Sequence, residues 1–149
     1  TRLCLYGAEV IFNLSSSNEN AGKHSYLRSL ISGLSSQGIC AYVYASSGYG
    51  ESSTDIVFTG KAFIAEAGEI VEEMERFRYE ERMIISDIDV SRIQTERLIN
   101  SSFKAAVTFH THDEKFNQLP FKLRSRQESL PMTRRVDRRT RIVRSVRAR

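Results

Sequence analysis

Cysteine is scarce in this chain, with Cys4 and Cys40 the only two among 149 residues. Two cysteines supply no disulfide framework for a chain this long, so a reducing, cytoplasmic setting is expected. Long apolar runs are missing too. None approaches the roughly 18 residues of a membrane helix, and no charged-then-apolar leader precedes the first strand-like run, so no membrane partner is expected. The pair Gly48-Tyr-Gly50 lacks the further Gly of a dinucleotide fingerprint and the Lys-Ser/Thr of a P-loop, which leaves phosphate binding there unsupported. His110, His112 and Asp113 could form half of a metal site, but no third or fourth ligand follows at helix or strand spacing. No metal is expected.

Apolar residues make up 40% of the chain and charged residues 27%, the balance of one ordinary globular domain. The first residue is Thr1 rather than Met, and structure-like patterning starts at once, so a fragment is expected. The net charge of +4 is unevenly spread. Half of the 22 Lys and Arg fall in residues 121–149, where Glu128 and Asp137 are the only acids. The body is therefore acidic and only the tail is basic, which does not by itself argue for nucleic acid. Arg124, Arg126, Arg134, Arg135, Arg138 and Arg139 could grip phosphates, but only Phe121 offers an aromatic ring beside them. Nucleic acid is not the expected partner.

The stretch Gly7 to Lys23 organises the rest. Val10, Ile11, Phe12 and Leu14 form a short apolar run that suits a strand covered on both faces. At Ser15 it turns abruptly into Ser-Ser-Ser-Asn-Glu-Asn-Ala-Gly-Lys, a polar loop ending in a cation. Such loops sit beyond strand ends, where helix-covered sheets hold their ligands. An ordinary strand-to-helix connection is the plain alternative.

Residues 1–6 read as the last turns of a helix stopped by Gly7. A helix is expected over 22–37, with Tyr26, Leu30 and Leu34 recurring every four residues and Leu27 and Ile31 beside them. Strands are expected at 40–46, 56–58, 62–65 and 82–88, with a hairpin turn at Ala67-Gly68-Glu69 leading into 70–74. Asp89 caps a helix running to about Asn100. Periodicity fades after Ser101, and Pro120, Pro131 and the Arg-rich end read as an extended linker. Strands alternate with helices and then give way to a hairpin, which makes an α/β layered fold with a mixed sheet.

Cys4 lies between two leucines with no acid, histidine or lysine at helical spacing, so both cysteines read as small buried side chains. His24 opens a helix and reads as a surface or capping residue. Glu66, Glu69, Glu72, Glu73 and Glu75 read as mostly on the wet side of the hairpin.

Taken together, Arg2…Gly7-Ala-Glu-Val-Ile11, Asn13-Leu-Ser-Ser-Ser-Asn18, Gly48-Tyr-Gly-Glu-Ser-Ser-Thr-Asp55 and Gly60…Gly68-Glu-Ile70 resemble the nitrilase (carbon–nitrogen hydrolase) superfamily. The two serine-containing loops are most similar to the glutaminase domains of glutamine-dependent NAD synthetases. The resemblance implies part of an α-β-β-α sandwich: residues 1–105 as the C-terminal half of a glutaminase domain, 106–139 as an inter-domain linker, and 140–149 as an atypical, truncated or out-of-frame end. It implies a glutaminase that releases ammonia from glutamine, and a synthetase domain that uses ATP and Mg to amidate deamido-NAD to NAD. A homo-oligomer is expected of the intact enzyme.

The family's cysteine precedes a Glu-Asp pair, and no cysteine here has that context. Its glutamate and lysine lie upstream as well, so no catalytic residue and no cofactor is assigned within these residues. Carried over is glutamine binding. Ser17 matches a serine that contacts glutamine, and Lys23 a basic position that pairs with its charged end. A stand-alone nitrilase-type amidase and a non-catalytic, basic-tailed binding module are the rival expectations.

Overall fold

Strand β1 (Val10–Ser15) and strand β2 (Ala41–Ser46) run parallel, in register from Val10 against Ala41 to Ser15 against Ser46. Parallel neighbours need a crossover, and helix α2 (Lys23–Gly38) provides it. The computed structural model describes residues 2–52, 54–110 and 116–120. A one-turn helix α1 (Arg2–Leu5) precedes β1, and Gly7 at φ 103° turns the chain out of it. Strand β3 (Ala62–Glu66) pairs antiparallel with β2, and β4 (Glu69–Glu73) returns beside β3, so the described sheet runs β1-β2-β3-β4. Ala67 and Gly68, both at positive φ, make the two-residue hairpin turn. The mixed sheet expected from the sequence is present.

Helix α2 covers one sheet face. Leu27 and Ile31 pack on Tyr44, Phe63 and Ala65, with Tyr42 and Ile70 at the margin. Its buried line is Leu27, Ile31, Ser35 and Gly38, while Tyr26 and Leu30 face water. The apolar stripe read from Tyr26, Leu30 and Leu34 is thus rotated. Serines hold the seam: Ser35 Oγ donates to Cys40 O (2.7 Å) and accepts from Gly68 N (3.1 Å), while Ser32 Oγ donates to Gly68 O. Short hydroxyl side chains let the helix approach the hairpin closely, which a purely apolar periodicity cannot reveal.

Helix α3 (Val90–Ile99) starts where expected, with Asp89 accepting from Arg92 N at 2.8 Å. It buries Ile93 completely. Helix α4 (Ser101–His110) follows, Asn100 Oδ1 accepting from Phe103 N. The fading periodicity concealed it because none of its residues is buried. It also runs past the linker boundary placed at 106.

Three further expectations are corrected. Phe12 and Leu14 are 73% and 85% exposed, so β1 is an edge strand covered on one face only among the described residues. Residues 82–88 form no strand; Met83 and Ile85 lie exposed, because no sheet neighbour pairs with them. Residues 56–58 are loop, anchored through Val57 O, which accepts from Glu19 N. The Arg-rich end and His112 with Asp113 lie outside the described residues.

Candidate functional site

The serine loop leaves the C-terminal end of β1 and lies against the loop leaving β2. Ser47 N donates to Ser15 O (3.0 Å), Ser47 Oγ to Ser16 Oγ (3.2 Å) and Ser46 Oγ to Ser17 O (3.4 Å). Parallel strands bring these two ends side by side, the arrangement in which open α/β sheets hold ligands. Ser17 stands on this loop, and Lys23 is the first residue of α2, where the loop ends. Lys23 Nζ donates to Asn18 Oδ1 at 2.8 Å, which keeps the ammonium next to the residue that follows Ser17. Gly22, at φ 78°, turns the chain into α2 without a side-chain cap. Lys23 N donates to Asn20 O (3.1 Å), so the Lys23 ammonium at the helix start is what favours a carboxylate there.

Beneath the loop lies a charged pair that sequence reading missed. Lys61 Nζ approaches Glu19 Oε2 at 2.5 Å, with the lysine 2% exposed. Thr59 Oγ1 donates to the same oxygen at 3.1 Å, while Glu19 Oε1 is buried with no hydrogen-bond partner among the described residues. Burial pushes the Glu19 carboxyl up, but Lys61, Thr59 and the more distant Arg76 outweigh it and hold it below the usual carboxylate range. A cleft of about 270 Å³ opens next to this pair, bordered by Ser46, Thr59, Lys61, Glu75 and Arg78. Neither Ser17 nor Lys23 lines it.

Other titratable groups are tied into the frame. His24 Nε2 contacts Glu73 Oε1 at 2.9 Å, and Arg28 Nε donates to Glu73 Oε2 at 3.0 Å, joining α2 to β4. Glu66, read as solvated, is 1% exposed. It accepts from Asp89 N at 3.0 Å and faces Arg92 at 3.5 Å, which fixes the start of α3. Cys4 and Cys40 are both buried, as expected, but they lie close together and near Arg97 of α3. Helical spacing could not show a cation supplied from so far along the chain.

No family model matches the chain. Among curated proteins, glutamine-dependent NAD(+) synthetases of Mycobacterium bovis and Mycobacterium leprae are each 34% identical over 135 residues, 90% of this chain. By sequence the chain is a relative of part of glutamine-dependent NAD(+) synthetase. It spans about a fifth of the length of those relatives. A carbon–nitrogen hydrolase from Helicobacter pylori G27 superposes with a TM-score of 0.53 and 17% identity, over 70% of this chain and 40% of that one. The fold is therefore the nitrilase-like one of the carbon–nitrogen hydrolases.

Proposed function

We propose that this chain is the later part of the glutaminase domain of a glutamine-dependent NAD(+) synthetase. In that reading the whole enzyme hydrolyses glutamine and passes ammonia to a synthetase domain, which uses ATP and Mg to amidate deamido-NAD. The observation that carries it is 34% identity to such synthetases across 135 residues. The placement of Ser17 on the loop beyond β1 and of Lys23 at the start of the helix that the loop enters, with Asn18 joining them, supports these two as glutamine-binding residues. Lys23 would meet the amino acid's carboxylate, and Ser17 would hydrogen-bond its polar end.

Within these residues the reading assigns binding and not bond cleavage. A thiolate nucleophile, a base and a cation would come from elsewhere in the enzyme. A homo-oligomeric, cytoplasmic enzyme completes the proposal. No helix of the described residues is long and apolar enough to cross a membrane.

The test begins with the coding DNA on both sides of this segment. A cysteine followed by Glu-Asp should be encoded shortly upstream, and an ATP-binding domain downstream. The intact product should form NAD from deamido-NAD with either glutamine or ammonia, whereas the 149-residue chain alone should not release ammonia from glutamine. An upstream sequence without that cysteine, or glutamine hydrolysis by the chain alone, would overturn the assignment.

A further inference from the structure

Cys4 ends up beside Cys40 because the chain between them makes a full excursion through β1, the serine loop and α2. The two thiols are 2% and 0% exposed. Gly38 stands between them: a methyl carbon added there would lie 2.8 Å from Cys4 Sγ and 3.0 Å from Cys40 Sγ. Both sulfurs therefore crowd one point that only a glycine leaves open. Arg97 closes the group from the α3 side. Its guanidinium donates to Ala8 O (2.7 Å), Ile39 O (2.9 Å) and Gly38 O (3.0 Å), carbonyls that flank both thiols. Neither cysteine has a part in the proposed glutamine site.

We propose that Cys4 and Cys40 form a redox-active dithiol, which a hydroperoxide converts into an intramolecular disulfide joining α1 to the start of β2. The chemistry suits the pair. A hydrogen bond from Cys40 lowers the Cys4 thiol against the effect of burial. The same hydrogen bond, then burial, pushes the Cys40 thiol up. With Cys4 as the attacking thiolate, Cys40 is the proton-bearing partner that resolves it.

Each step balances. Cys4 thiolate attacks one oxygen of the hydroperoxide, the O–O bond breaks, and hydroxide or alkoxide leaves, giving a sulfenic acid at Cys4. Cys40 sulfur then attacks Cys4 sulfur, the S–O bond breaks, and the departing hydroxide takes the Cys40 proton as water. With hydrogen peroxide, two thiols and one peroxide yield one disulfide and two waters. Access comes past Arg2 and Leu3, which are exposed beside Cys4. The bond would enclose Ser17 and Lys23 in a covalent loop and restrict the unfolded chain.

The experiment treats the 149-residue chain with one equivalent of hydrogen peroxide at pH 7, traps free thiols with N-ethylmaleimide, and maps tryptic peptides by mass. The folded chain should lose two hydrogens, take up no maleimide, and show peptides 3–23 and 29–61 joined until dithiothreitol separates them. The joined pair should form at least roughly ten times faster in the folded chain than in 6 M urea, since folding alone brings the sulfurs together. Cys4→Ser and Cys40→Ser should each abolish it and leave one thiol for maleimide or oxygen. Equal rates with and without urea would overturn the proposal, as would separate sulfinic acids in the folded wild-type chain. The urea comparison stands even if a serine variant fails to fold.

Discussion

Lys61 of the β3 approach and Glu19 of the serine loop meet at 2.5 Å, and almost none of either side chain is left to water. Charges withdrawn in this way are costly unless each compensates the other. Lys61→Met should leave the Glu19 carboxylate buried and unpaired, destabilising the fold by about 3 kcal/mol in urea unfolding. Lys61→Met with Glu19→Leu should recover much of that loss. A double variant no more stable than the single one would show that the pair is not the cause.

The same carboxylate gives the stability a pH dependence. Glu19 is held below its ordinary value of 4.5, so between its folded value and 4.5 the unfolded chain binds the extra proton. Its contribution is fully present above that range and is lost as pH falls through the folded value. Urea midpoints taken from pH 7 down to 3 should therefore decline on the acid side. The part of that decline due to Glu19 should vanish in Glu19→Gln.

Ser35 tests the seam between α2 and the hairpin. Its hydroxyl is fully buried, donates to Cys40 O and accepts from Gly68 N. Ser35→Ala would strand both backbone groups, and a loss of about 2 kcal/mol is expected. Ser29→Ala, on the exposed side of the same helix, should change stability by less than about 0.5 kcal/mol. Thermal melts of the two variants make the comparison.

How much of this was legible beforehand follows from which residues speak locally. The turn at Gly68, the cap at Asp89 and the apolar segments of the four strands act on their immediate neighbours, and each is where the sequence pattern puts it. Tyr26 and Ser35 exchanged the roles that hydropathy suggests, because a hydrogen-bonded serine can lie deeper than a tyrosine at the helix margin. Glu66 reads as a solvated charge and Lys61 drew no reading, yet both are buried, beside partners 26 and 42 residues away, Arg92 and Glu19. Such pairings carry no period. Ser17 and Lys23 emerged from family resemblance, and the structure adds the loop-to-helix junction that brings them near and the Asn18 contact that steadies the lysine.

Lys23 separates binding from synthesis. In the intact enzyme, Lys23→Ala should remove a charged contact worth about 1.5–3 kcal/mol, a roughly 10- to 100-fold fall in kcat/KM for glutamine. NAD formation from free ammonia should stay unchanged, because ammonia needs no carboxylate grip. Steady-state assays with each nitrogen donor read the difference. Equal losses with both donors would assign Lys23 to the frame of the loop, through Asn18, and not to the amino acid.

Phe12 and Leu14 make the last case. They project from the same face of the edge strand β1, two residues apart, and both stand mostly in water. An apolar pair on an uncovered sheet face promotes association between copies and adds little to the stability of one chain. Phe12→Lys with Leu14→Lys should therefore leave the urea midpoint of the 149-residue chain nearly unchanged, while lowering its tendency to self-associate at high concentration. Light scattering over a concentration series gives the second quantity. A large fall in stability would mean that the two side chains are packed within the isolated chain, contrary to their exposure, whereas unchanged scattering would move the sticky surface elsewhere, with exposed Met83 and Ile85 the next residues to substitute.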